Sequence, residues 1–140
     1  MKVSTVYKVL PVFIFSGDWF TKLKFYRYAG GITIFNITVM HPNLHKDSYI
    51  SLLEHEKVHC EQSYRYLGFN SLMYLTSAGR LMLEIEAYCR QYSDTELNNT
   101  YIINTLDSYY KLKYTKVYIL NKVYLYREKL RRMNNAMWLL

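Results

Sequence analysis

The chain has 140 residues, 51% of them hydrophobic, and no Pro-, Gly- or Ser-rich linker, repeat or low-complexity tract divides it, so one sizeable core and a single domain over 1–140 are expected. The longest apolar runs, such as 9–15, fall far short of the roughly 18 residues that span a bilayer, which excludes stable membrane insertion of a helix. A formal charge of +7 favours acidic surfaces or substrates, and 16 tyrosines spread along the chain suit amphipathic contacts at core edges rather than one aromatic cage.

The first expected element is a strand over 3–15, interrupted at Pro11, which favours an edge position because proline cannot donate to a ladder. The early apolar run has no strongly basic start and no clear small-residue cleavage site, so a soluble, cytoplasmic chain is expected. Residues 20–28 alternate Lys22 and Lys24 with Leu23 and Phe25, Gly30-Gly31 marks a tight turn, and 32–40 alternates again through Ile34, Asn36 and Thr38. This pattern predicts a β-hairpin. His41-Pro42-Asn43-Leu44-His45 then reads as a loop, where both histidines are more simply surface residues than functional ones.

A helix is expected over 47–67, with Tyr49, Leu53, Cys60, Tyr64 and Leu67 as its apolar stripe, Asp47 or Ser48 as N-cap and Gly68 as its stop. His55-Glu56-Lys57-Val58-His59 lies inside it. Histidines four apart sit one turn above the other on the same face, at the border of the stripe, while Glu56 projects about 100° away. That is the arrangement of two zinc ligands with a general base beside them.

A catalytic zinc site takes three protein ligands and leaves a fourth position open, so a third ligand is needed. The next helical pattern supplies candidates in Leu83-Glu84-Ile85-Glu86-Ala87-Tyr88, where Leu81, Met82, Ile85, Tyr88, Cys89 and Tyr92 form the expected buried arc. Glu84 borders that arc. Glu86 faces away and has Arg90 four residues on, as in a solvated ion pair, so Glu84 is favoured as the ligand over Glu86.

The pairing of HExxH with a later Glu-x-x-Ala-Tyr helix, here His55 to Gln62 followed by Glu84 to Tyr88, resembles the gluzincin clan of zinc metallopeptidases, in particular its small stand-alone members from bacteria and phages. The resemblance covers about residues 30–92. It implies one Zn2+ held by His55, His59 and Glu84, with Glu56 as the base that takes a proton from zinc-activated water. It also implies that 32–40, through Ile34, Asn36 and Thr38, is the edge strand that binds extended peptide. Gluzincins often carry Asp four residues after the third ligand to orient an imidazole; this chain has Tyr88 there. The developing oxyanion needs a further donor, and His41, Tyr88 and Tyr92 are the candidates near the motifs.

Downstream the chain reads as helical. Ser93-Asp94-Thr95-Glu96 matches a capping box, followed by Ile102, Ile103, Leu106, Tyr109 and Tyr110 as an apolar face. In the last helix Ile119, Val123, Tyr126, Leu130 and Met133 repeat at four- and three-residue steps, with Lys122, Arg127, Lys129, Arg131 and Arg132 expected on a solvated basic face. Cys60 and Cys89 fall on apolar arcs, as small core residues in a reducing compartment would.

The expected fold class is α+β: an N-terminal β-hairpin or small antiparallel sheet packed on the active-site helix, the glutamate helix and C-terminal helices. The expected activity is hydrolysis of peptide or amide bonds, with a peptide or protein as substrate. Two alternatives belong to other classes: a zinc-stabilised binding protein without turnover, and a basic module for nucleic acid or a protein partner in which HExxH is accidental.

Overall fold

The computed structural model describes the backbone of residues 2–7, 10–16, 30–108, 110 and 112–137, and side chains within 30–108, 110 and 112–135. The fold is α+β, and the chain divides into two compact units, Met1–Leu75 and Thr76–Leu140. Among the described residues no helix is long and apolar enough to cross a membrane.

The first unit contains β1 (Lys2–Tyr7), β2 (Leu10–Ser16), β3 (Gly31–Ile34), β4 (Ile37–Met40), α1 (Lys46–Arg65) and α2 (Asn70–Met73). The sheet order is β1-β2-β4-β3. Its outer pairs are antiparallel and β2 runs parallel to β4, so the sheet is mixed rather than purely antiparallel. The strand expected over 3–15 is two strands. Pro11 sits inside the sheet on β2 and not at an edge, because it faces Thr5 next to an irregular step in the β1 register and precedes the stretch Phe13 to Ser16 that pairs with β4. Its missing N–H therefore leaves the β2–β4 ladder intact.

The hairpin expected around Gly30-Gly31 involves 20–28, which lies outside the described residues. Residues 32–40 are themselves a hairpin, reversing at Phe35-Asn36, with Phe35 at φ 56. Alternation runs unbroken through that reversal and no glycine marks it, which is why it reads as a single strand. The edge therefore falls on β3: Ile34 is an edge-strand residue, Asn36 is in the turn, and Thr38 lies in β4, paired on both sides. Thr38 cannot offer its backbone to a peptide as an edge residue would.

In α1 His45 precedes the first turn without a side-chain cap, and Asp47 places its charge in that turn, where the helix dipole favours an anion. The helix ends in a Schellman motif, with the Gly68 N–H donating to Ser63 O at 2.7 Å and the Leu67 N–H to Tyr64 O at 3.2 Å. Leu67, at φ 50, takes the left-handed position expected of glycine and is 84% exposed, so it leaves the apolar stripe. Gly68, at φ 84, is required for another reason: a Cβ there would lie 2.2 Å from the Phe35 ring. β3 and β4 pack on α1, around Met40 and Cys60 flanked by Leu44, Tyr49, Leu52 and Leu53.

The second unit packs α3 (Ser77–Gln91), α4 (Glu96–Ser108) and α5 (Lys116–Met137) pairwise. Leu81, Ile85, Cys89, Ile102, Leu106, Ile119 and Val123 form its core at the spacings expected from the sequence. Met82 and Met133 do not join it; both are exposed. The cap of α4 is Thr95, whose Oγ1 accepts from the Asn98 N–H at 3.2 Å, rather than the Ser93–Glu96 box. Ser93 lies before the helix and is held by it, its Oγ accepting from Asn98 Nδ2 at 2.9 Å. Arg127, expected on a solvated face, is buried. Tyr109 lies outside the described residues.

Candidate metal centre

The motif residues occupy the most buried stretch of α1: His55, Glu56, Val58, His59, Cys60, Glu61, Gln62 and Ser63. One helical turn apart, the two imidazoles meet edge to face, with ring centroids 4.8 Å apart and planes at 77°. Their Nε2 atoms lie 3.1 Å from each other. Two nitrogens bound tetrahedrally at zinc's ordinary bond length stand about 3.3 Å apart, so this spacing is close to that of two ligands turned toward one point.

Gln62, three residues after His59 and fully buried, fixes the tautomer of that histidine. Its Oε1 lies 2.8 Å from His59 Nδ1. An amide oxygen only accepts, so Nδ1 carries the proton and Nε2 keeps its lone pair for a metal. Ser63 Oγ donates to His59 O at 2.9 Å and accepts from Asn70 Nδ2 at 2.8 Å, which ties the start of α2 to this turn of α1. The Tyr74 ring stands against His59 at 5.9 Å.

Glu56 is buried too, 4% exposed. Its Oε2 accepts from Thr33 Oγ1 at 2.7 Å, and Thr33 Oγ1 in turn lies 2.7 Å from Thr38 Oγ1. In the second unit Glu84 is almost fully buried, and Tyr110 donates its hydroxyl to Glu84 Oε2 at 2.9 Å. Glu86 is also buried, not solvated as its spacing to Arg90 implied. Each of its neighbours from Leu83 to Ala87 is buried, so α3 is enclosed on more than the one arc that the periodicity marks.

His55 and His59 in the first unit and Glu84 in the second are all buried, and this group could hold a metal ion. Glu86 is not part of it. His41 accepts from the Asn43 backbone N–H through Nδ1 at 3.2 Å, as a loop-shaping residue does, and His45 is exposed beside Asp47. Tyr88 stacks on Tyr92 with ring centroids 6.3 Å apart and meets Tyr110 edge-on at 6.4 Å. Burial, and then the charge of Glu84, hold the Tyr88 hydroxyl far above the usual phenol range, so it stays a neutral donor. Cys60 and Cys89 are free thiols buried in their units, both pushed up by burial, Cys89 to about 11. Neither belongs to the metal-capable group.

Three residues that bear on the site carry no mark in the motif. Gln62 could have been found, since i to i+3 places it on the His59 face. Thr33 looks like an ordinary strand residue, and Tyr110 is one tyrosine among 16, 26 positions from the carboxylate it holds. Comparison of the chain with known protein families, with curated proteins and with solved structures returns no match.

Proposed function

We propose that this chain is a zinc-dependent metallopeptidase that hydrolyses peptide or amide bonds, with His55, His59 and Glu84 as ligands and Glu56 as general base. The observation that carries the reading is the convergence of the two Nε2 atoms, 3.1 Å apart, on a helix that also buries the motif glutamate. Two imidazoles and one carboxylate are the donor set of a catalytic zinc site with a place left for substrate. The likeness of both motifs to those of gluzincins points the same way.

When bound, a zinc ion supplies Lewis acidity, polarising a carbonyl and lowering the pKa of water from about 15.7 toward 7. The residues of the chain do the rest. Gln62 holds His59 in the tautomer that leaves Nε2 able to bind a metal, and Tyr110 holds the Glu84 carboxylate, which would serve as the third ligand. Glu56 takes a proton from the attacking water and returns it to the leaving amine. Tyr88, Tyr92 and His41 are the expected donors to a developing oxyanion, and Tyr88 is the one held neutral by burial and by the charge of Glu84. An extended peptide would add to β3, the edge strand of the described sheet next to α1.

Metal analysis of the purified chain, joined to cleavage of a fluorogenic peptide library, tests this. One equivalent of zinc is expected, with cleavage that disappears in Glu56→Gln while zinc is kept. Zinc without cleavage would leave a zinc-stabilised binding protein, and no bound metal would reject the reading outright.

A further inference from the structure

The first face of β3 is built around the Glu56 carboxylate. Gly31 and Thr33, two apart and therefore on the same side of the strand, both reach it. Thr33 Oγ1 lies 2.7 Å from Glu56 Oε2, and a Cβ added at Gly31 would stand 3.0 Å from Oε1, 3.1 Å from Cγ and 3.2 Å from Cδ. The glycine is thus the space in which the carboxylate rests.

The hydrogen-bond chain behind it has a fixed direction. Thr33 donates its single hydroxyl proton to Glu56 Oε2. Thr33 Oγ1 must then accept from Thr38 Oγ1, 2.7 Å away, and Thr38 must accept from the Cys60 thiol at 3.5 Å. Three side chains from β3, β4 and α1 therefore end on one oxygen of the motif glutamate, and the other oxygen, over Gly31, has no side chain built against it from this strand.

We propose that Gly31 and Thr33 form a seat that positions the Glu56 carboxylate for proton transfer, with Thr33 a positioning residue rather than a catalytic one; the proposal rests on the peptidase reading. Holding Oε2 in the hydroxyl chain removes the carboxylate's freedom to rotate and commits Oε1 to the water proton. A base fixed before the reaction needs no reorganisation during it.

The test uses the full chain with zinc bound. Thr33→Val keeps the β-branched shape that suits a strand and removes the hydroxyl, both the donor to Glu56 and the acceptor from Thr38. It is expected to lower kcat by about 10- to 100-fold, the usual range for loss of an outer hydrogen-bond partner. KM should stay within about twofold and zinc content should be unchanged, because the seat acts on neither substrate nor metal binding. Thr33→Ser, which restores the hydroxyl, should recover most of the rate. Gly31→Ala should lower kcat with zinc retained, and it carries the test by the same criterion if Thr33→Val does not fold. Cleavage that is lost in Glu56→Gln but unchanged in Thr33→Val, or reduced equally in Thr33→Val and Thr33→Ser, overturns the seat alone. A zinc-bound wild-type chain that cleaves nothing overturns the peptidase reading, and the seat with it.

Discussion

Replacing Arg127 by alanine should cost the second unit more stability than any other basic-to-alanine change on α5. A guanidinium has five N–H donors, and in Arg127 all five are used: Nη1 donates to Cys89 O at 2.7 Å and Tyr92 O at 2.6 Å, Nη2 to Ser93 O at 3.0 Å and Asn99 Oδ1 at 3.1 Å, and Nε to Asn99 Oδ1 at 3.3 Å. Two of these acceptors are backbone carbonyls at the end of α3, where the helix leaves carbonyls without intrahelical partners and the dipole favours a cation. Removing one partner of a buried charged network costs about 3–5 kcal/mol. A cavity lined by Cys89, Arg90, Asp94, Arg127 and Arg131 adjoins the guanidinium, so water can replace some of the lost donors, and the lower end, about 3 kcal/mol, is expected. For a unit of this size that corresponds to a fall in Tm of about 12–24 °C, from roughly 4–8 °C per kcal/mol. Far-UV circular dichroism during thermal and urea unfolding measures it. Arg127→Lys should recover little, because an ammonium cannot span three carbonyls as the planar fork does. A loss below about 1 kcal/mol, the value of an exposed ion pair, would refute the buried-clamp argument.

Tyr110→Phe should weaken zinc binding by about 10- to 100-fold, as loss of an outer partner of a ligand usually does, while leaving helix content unchanged; competition with a chromophoric chelator measures it, and an unaltered affinity would remove Tyr110 from the site. Both thiols should resist a thiol reagent in the folded chain at pH 8. A raised folded-state pKa means that the protonated form persists as pH rises, and with Cys89 at about 11 only about one part in a thousand is thiolate at that pH. Denaturant should release both at once, whereas rapid reaction of either in the native protein would contradict the burial of its helix face.

The metal-capable group was legible because it depends on local spacing. The i to i+4 relation of His55 and His59 is fixed by helix geometry alone, and Glu84 is singled out by its helix face together with its place in the Glu-x-x-Ala-Tyr motif. What the sequence hid depends on partners distant in the chain. Arg127 reads as one cation in a basic helix because its hydrogen-bond acceptors are backbone carbonyls and an asparagine, and its one acidic neighbour, Asp94 at 3.7 Å, is 33 residues away in the chain. The Phe35-Asn36 reversal hid in uninterrupted alternation, since a two-residue turn preserves period two. Glu86 misled for a related reason: an i to i+4 pairing with Arg90 describes a helix surface, yet α3 is enclosed on several sides.

The burial of α1 bears on whether the motif is accidental. In a helix kept only for stability, the deepest stretch should be apolar, since burying a polar group without partners costs about 1–3 kcal/mol by mutational measures. Here six of the eight buried residues, His55, Glu56, His59, Glu61, Gln62 and Ser63, are polar or ionisable, while Ile50 and Leu67 of the same segment are exposed. Helical periodicity would allow the opposite arrangement. Partners have been supplied from other elements: Thr33 for Glu56, Asn70 for Ser63, and Gln62 for His59 within the helix itself. A chance HExxH on a solvated face would need none of them. Departures from apolar burial concentrated on one set of residues, with Glu56, His59 and Ser63 each given a partner, are what the proposed site would impose on the fold.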